Sequence, residues 1–251
     1  MVHFVGAGPG AADLITVRGQ RLLEEADVVV YAGSLVNPQL LESCKEGCEI
    51  HNSAYMTLEE VIEVIAGAEK KGRKVVRLHT GDPSIYGAVK EQMDVLEREG
   101  ISYDVCPGVS SFCGAAAALK AEYTLPDISQ SVLITRMAGR TKVPEKESIR
   151  DLAAHQATMV IFLSTGMLRK LQRELEAGGY PEDTPAAVVY KATWQDEKVC
   201  RCTVGSLAET AEAEGITKTA LIIVGRFLDS EYRRSKLYDP AFTTEFRKGS
   251  K

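Results

Sequence analysis

The 251-residue chain contains no apolar run approaching the roughly 18 residues that a membrane-spanning helix needs, so an α-helical membrane protein is excluded. Basic charge is not in excess either. Thirty Lys and Arg stand against 35 Asp and Glu, a formal net charge of −5, which argues against a nucleic-acid binder and leaves room only for a local basic pocket. The opening residues Met1-Val2-His3-Phe4-Val5 lack the charged start of a signal peptide and run straight into a strand-like segment, so a cytoplasmic location is expected. The six cysteines lack the paired spacing of a zinc site. Cys44-x3-Cys48, Cys200-x-Cys202, Cys106 and Cys113 read as reduced thiols, neither a disulfide framework nor a metal centre. No short repeat and no low-complexity tract is visible. What is present is an ordinary globular balance, 45% hydrophobic and 26% charged, which predicts a packed fold.

In the first half, apolar runs alternate with helical patterns, which predicts parallel strands joined by crossover helices. Strands are expected at 2–6, 28–31, 75–78 and 103–106, and helices at 14–25, 57–71, 85–99 and 110–121. Thr57 with Glu60 three residues on has capping-box spacing, and Gly72 and Gly100 are stop signals. Pro126 and its polar neighbours break the rhythm, so 122–130 is read as a linker between an N-terminal α/β domain (1–121) and a C-terminal one (131–228). Further strands are expected at 131–135, 158–163, 186–190 and 220–224, with a helix at 167–177. The alternating segment 198–204 suggests an antiparallel hairpin partner for 186–190. The tail 229–251 has no clear periodicity and is expected to be partly disordered or to pack as an arm.

Two loops carry chemistry. Gly6-Ala7-Gly8-Pro9-Gly10-Ala11 follows the first strand and satisfies the G-x-G-x-x-G/A pattern of dinucleotide-binding folds. Such folds also place an acidic residue near the end of the second strand, and Val28-Val29-Val30-Tyr31-Ala32-Gly33-Ser34 offers none. The loop therefore reads either as a ligand contact or as a tight turn in which glycine permits positive φ. Val75-Val76-Arg77-Leu78-His79-Thr80-Gly81-Asp82-Pro83-Ser84-Ile85-Tyr86-Gly87 places a polar loop at the carboxyl end of a buried strand, where open α/β sheets bind ligands. Gly81 would let a ligand approach the backbone, and Asp82 supplies either a carboxylate or an N-cap.

These residues resemble the tetrapyrrole methylases, which carry a GxGPG loop first and a GDPxxYG-like loop later. Pro107-Gly108-Val109-Ser110-Ser111 is similar to the family's third signature, and Ala220-Leu221-Ile222-Ile223-Val224-Gly225 to its closing strand. Four signatures in order cover nearly the whole chain. Tyr31–Asn37, Leu125-Pro126, Thr135–Thr141 and Val189–Trp194 most resemble the branch that methylates C11 of a corrin precursor in cobalamin biosynthesis. The resemblance implies two α/β domains with mostly parallel or mixed sheets flanked by helices, a homodimer, and S-adenosylmethionine held in the cleft between domains. It implies cofactor contacts at Pro9, Thr80, Gly81, Asp82, Ile85, Ser110, Ser111, Ser164 and Ala192. Most members place Gly or Ala where this chain has Thr80, a change the backbone contact tolerates.

A sulfonium methyl is already activated, so catalysis by positioning is expected, with no obvious general base and Asp82 in a binding role. The tetrapyrrole implied as substrate bears carboxylates, which basic groups must meet locally. Arg77, His79, Arg136, Arg140 and Lys142 are the candidates, though a histidine at such a strand end is more often packed or hydrogen-bonded. Tyr190 and Trp194 are candidates to flank the macrocycle, although aromatic residues beside a strand are usually core. A sister methylase acting at another ring carbon and an NAD-dependent oxidoreductase are the competing readings.

Overall fold

A computed structural model describes residues 1–229, 231–233 and 235–250. The chain divides into two compact units, 1–115 with 192–196, and 116–191 with 197 onward.

The first unit is built on five strands, β1 (Val2–Gly6), β2 (Val28–Tyr31), β3 (Glu49–Asn52), β4 (Val75–His79) and β5 (Tyr103–Cys106), in the order β3-β2-β4-β1-β5. Every pairing is parallel, as the alternation of runs and helical patterns predicts. Because successive strand side chains point to opposite faces, Phe4, Val28, Val30 and Val75 pack on one side and Val5, Val29, Val76 and Leu78 on the other. The first set meets Val61, Ile62 and Ile65 of α2 (Leu58–Glu69) and Leu96 of α3 (Lys90–Arg98), and the second meets Leu23 of α1 (Val17–Glu25). Both capping-box bonds of Thr57 and Glu60 form. Strand β3 has no apolar alternation, and its half-exposed Glu-Ile-His-Asn sequence hid it.

Two helix starts differ from expectation by more than one residue. Thr16 caps α1, so that helix begins at Val17, not Leu14. The helix expected from Ile85 begins only at Lys90, because Tyr86 (φ 54°) and Ala88 (φ 49°) take the left-handed conformation, which no α-helix admits.

The second unit carries β6 (Val132–Arg136), β7 (Thr158–Phe162), β8 (Pro185–Tyr190), β9 (Lys198–Thr203) and β10 (Ala220–Val224), ordered β6-β7-β10-β8-β9. Only β6 and β7 run parallel, and β8 and β9 form the antiparallel hairpin that the alternation suggested. Met159, Ile161, Val188 and Ile222 point to the face covered by helices 149–153, 168–177 and 207–213. Helix α4 (Ser111–Leu119) runs across the division between units. Residues 122–130 lie within the second unit, closed by a Leu125–Ser129 bridge. Of the tail 229–251, Ser230, Arg234 and Lys251 lie outside the described residues. Its remainder is mostly exposed, with the Arg247 guanidinium donating to the Leu237 and Asp239 carbonyls.

Candidate functional site

Strands β4, β1 and β5 are neighbours and all parallel, so the loops that follow them open at the same sheet edge. These loops hold three of the sequence motifs. They approach backbone to backbone. Gly8 N–H donates to the Gly81 carbonyl at 3.3 Å and Gly81 N–H to the Gly8 carbonyl at 2.9 Å. A Cβ on Gly6 would lie 2.5 Å from Gly108 Cα and 2.6 Å from the Gly81 oxygen. A Cβ on Gly108 would lie 2.7 Å from Gly6 Cα, and nearer still to the Gly81 oxygen. Gly81 itself has φ 61°. Glycine is thus a steric requirement of the three-loop junction at positions 6 and 108, and a conformational one at 81.

Asp82 fastens the junction. One carboxylate oxygen accepts from Gly108 N–H at 2.8 Å, and the other from Ser84 N–H at 2.9 Å and from the Ser84 hydroxyl. Partial burial would raise its pKa, but these hydrogen bonds outweigh burial and hold the carboxyl below its ordinary range. Asp82 therefore caps the short turn closed by Ile85 N–H on its carbonyl, not the helix that starts eight residues later.

The end of β4 keeps polar atoms in reserve. The Thr80 hydroxyl and His79 Nε2 are buried and accept or donate no hydrogen bond. An unmet buried polar group costs about 1–3 kcal/mol, so a protein retains one where a ligand or ordered water completes it. His79 is only 3% exposed and stacks at 6.2 Å on Phe4. Burial, aided by the Arg77 charge, drives its pKa down to about 3, so the ring is neutral at physiological pH. Arg77, 5% exposed, has its guanidinium engaged by Gln92 Oε1 at 2.9 Å and the Val30 carbonyl at 3.0 Å. Burial lowers it to about 10, still cationic at neutral pH.

The Gly6–Ala11 loop is filled by protein. Trp194 occupies the space a Gly10 side chain would take, and its indole N–H donates to the Pro9 carbonyl at 3.3 Å. Ala11 N–H donates to the Thr193 hydroxyl at 3.0 Å, and Asn37 Nδ2 to the Gly10 carbonyl at 2.8 Å. The Pro9 ring sits against Gly114 of α4, where a Cβ would come within 2.9 Å of it. Ala192 lies beside this loop, its carbonyl 2.8 Å from where a Gly10 Cβ would stand. No local sequence signal announces this union of residues 9–11 with 192–194, which are separated by most of the chain.

Ser110 is buried at the end of the β5 loop, and Ser111 opens α4. The junction thus gathers Pro9, Thr80, Gly81, Asp82, Ser110 and Ser111, with Ile85 half-buried on the following turn. In the second unit, Ser164 accepts from Met137 N–H at 2.9 Å and donates to the Phe162 carbonyl at 2.6 Å, so its hydroxyl joins the loops after β6 and β7. Arg136 donates to the Met137, Thr141 and Lys142 carbonyls and thereby shapes the loop on which Arg140 and Lys142 stand exposed. Beside Ser164, Leu163 has φ 51° and is 64% exposed, an outlier in both conformation and burial that the sequence did not flag. Left-handed non-glycine residues such as Leu163, Tyr86 and Ala88 cost about 1–3 kcal/mol each and tend to cluster at functional loops.

An α/β protein with its glycine loops on one edge of a parallel sheet is a ligand-binding architecture. The comparisons define it further: a model of the tetrapyrrole (corrin/porphyrin) methylases matches residues 1–208, and the chain belongs to that family. It is 58% identical to a cobalt-precorrin-4 C(11)-methyltransferase of Methanocaldococcus jannaschii, over all of this chain and 97% of that protein. A solved cobalt precorrin-4 methyltransferase, described as a cobalamin biosynthetic enzyme, superposes with a TM-score of 0.89 at 48% identity, covering 91% of this chain and 96% of that one. A uroporphyrin-III C-methyltransferase from Thermus thermophilus, solved in complex with S-adenyl homocysteine, aligns with a TM-score of 0.74 at 25% identity over 91% and 93%.

Proposed function

We propose that this chain transfers a methyl group from S-adenosylmethionine to C11 of (cobalt-)precorrin-4 during cobalamin biosynthesis. The observation that carries the ring position is its full-length 58% identity with a relative of that name. The donor half is supported independently by the glycine junction. There a buried Thr80 hydroxyl lacks a partner next to Gly81, whose backbone pairs with Gly8, a polar cradle suited to a nucleoside and amino-acid group.

When bound, S-adenosylmethionine supplies a sulfonium-activated methyl group. In this reading Thr80 and Gly81 present polar groups to it, Pro9, Ser110 and Ser111 border it, and Asp82 acts indirectly by holding the β5 loop through Gly108. Ile85, Ser164 and Ala192 complete the proposed contacts on the family resemblance. His79 is neutral and adds no cation beside the donor's own positive charge. No side chain is assigned as general base. Catalysis then rests on positioning, worth about 7–11 kcal/mol where geometry is favourable. Arg140 and Lys142 are the proposed partners of the substrate carboxylates, because they stand exposed on a loop that Arg136 braces. Arg77 supports the fold beneath the site through Gln92 and Val30.

Transfer of labelled methyl to cobalt-precorrin-4, followed by product mass and NMR, tests the reading directly. Methylation at another ring carbon would make the chain a sister methylase. Calorimetric preference for NADH over S-adenosylhomocysteine would overturn the donor assignment. On the same resemblance we propose a cytoplasmic homodimer, for which light scattering should return twice the 27.3 kDa chain mass. Among the described residues no helix is long and apolar enough to cross a membrane.

A further inference from the structure

The turn after Gly81 presents an aromatic ring on strained backbone. Tyr86 is 45% exposed, with φ 54°, and Ala88 two residues on has φ 49°. Gly87 between them abuts the Pro83 carbonyl so closely that a Cβ would lie 3.0 Å from its carbon. Two left-handed residues so close together persist only where their surroundings over-determine them.

The restraint is visible. Gln92 Nε2 donates to the Ala88 carbonyl at 2.9 Å, Gln92 Oε1 accepts from Arg77 Nε at 2.9 Å, and Arg77 donates to the Val30 carbonyl in β2 at 3.0 Å. A chain of hydrogen bonds, buried at its sheet end, therefore runs from the sheet to the strained turn. A regular helix from Ile85, which the sequence pattern favours, would have carried Tyr86 on its first turn and required none of this. A bulky aromatic held half in solvent, a few residues from the glycine junction, suits a flat conjugated partner, since ring faces stack.

Resting on the methyl-transfer reading above, we propose that Tyr86 is a contact for the face of the macrocyclic substrate, and that Arg77 and Gln92 are positioning residues that hold its turn. The test compares Tyr86→Leu, Tyr86→Phe and Gln92→Glu with the wild type in the full chain. Four quantities are read: KM and kcat for cobalt-precorrin-4, Kd for the stable corrin cobyrinic acid, Kd for S-adenosylhomocysteine, and the melting temperature.

Tyr86→Leu should raise KM and the cobyrinic acid Kd by about five- to tenfold, while Tyr86→Phe stays near wild type. S-adenosylhomocysteine affinity and melting temperature should not move. Gln92→Glu keeps the acceptor for Arg77 but loses the donor to Ala88, so it should raise the same two constants with kcat within about twofold. Unchanged KM and corrin Kd in Tyr86→Leu would overturn the substrate contact, as would a parallel loss of S-adenosylhomocysteine affinity or of melting temperature. An indifferent Gln92→Glu would overturn the positioning role. If the wild type binds cobyrinic acid in a Tyr86-dependent way yet does not methylate cobalt-precorrin-4, the functional reading fails and this inference stands. Normal methylation by Tyr86→Leu gives the reverse.

Discussion

The loops after β1 and β4 both read as glycine-rich ligand loops, yet the protein uses their glycines differently. After β1, Gly10 makes room for Trp194 and Gly6 for Gly108, so the absent side chains are replaced by protein. After β4, Gly81 stands beside a hydroxyl and an imidazole nitrogen that no protein group meets. The difference teaches that a glycine motif reports close approach of something, and only the tertiary structure says whether that something is the chain itself.

The contrast can be broken most forcefully at the junction the two loops share. Gly108→Ala drives a methyl group into the Gly81 carbonyl and Gly6 Cα, both backbone, so nothing flexible can yield. A loss of about 4 kcal/mol or outright misfolding is expected in chemical denaturation. Wild-type stability would mean that the three loops lie further apart.

A somewhat smaller effect is expected from acid. The folded chain keeps His79 neutral down to about pH 3, whereas an unfolded chain protonates it near pH 6.5. Between those values the unfolded state binds the extra proton. Stability from this group is therefore complete above pH 6.5 and lost as pH falls, by about 3 kcal/mol at pH 4. His79→Leu should flatten the denaturation-versus-pH curve over that window. An unchanged slope would show that His79 has a partner, and the distinction between the loops would shrink.

Gly10→Ala should displace the indole of the sole tryptophan, costing about 1–3 kcal/mol and shifting its fluorescence. Unaltered emission would place Trp194 elsewhere. The mildest change is Thr80→Val, which removes the unmet hydroxyl at nearly constant volume. It should leave stability level or slightly higher while weakening S-adenosylhomocysteine by about fivefold, close to 1 kcal/mol, in calorimetry. A hydroxyl needed only by the fold would give the opposite pattern.

Much of this was legible in advance wherever the signal was local. The Thr57–Glu60 cap and the 198–204 hairpin partner are written in a few adjacent residues, and both form. The helix expected from Ile85 failed because its periodicity is genuine but is overridden up to Lys90 by the Arg77–Gln92–Ala88 bonds, which link different elements. For Asp82 the sequence offers a ligand or an N-cap. Its bonds from Ser84 are the local, capping part, while its other partner, Gly108 N–H, lies on another loop that no local pattern connects to it.

By itself the sequence determined the alternation of strands and helices, the identity of the loops at strand ends and the family to which they point, because period, capping and glycine placement are properties of neighbouring residues. Only the tertiary structure decided which strands adjoin, and hence that the loops after β1, β4 and β5 meet. It also decided which polar atoms there remain unpartnered. Both depend on contacts between residues far apart in the chain, where packing and hydrogen-bond satisfaction are settled by the whole fold.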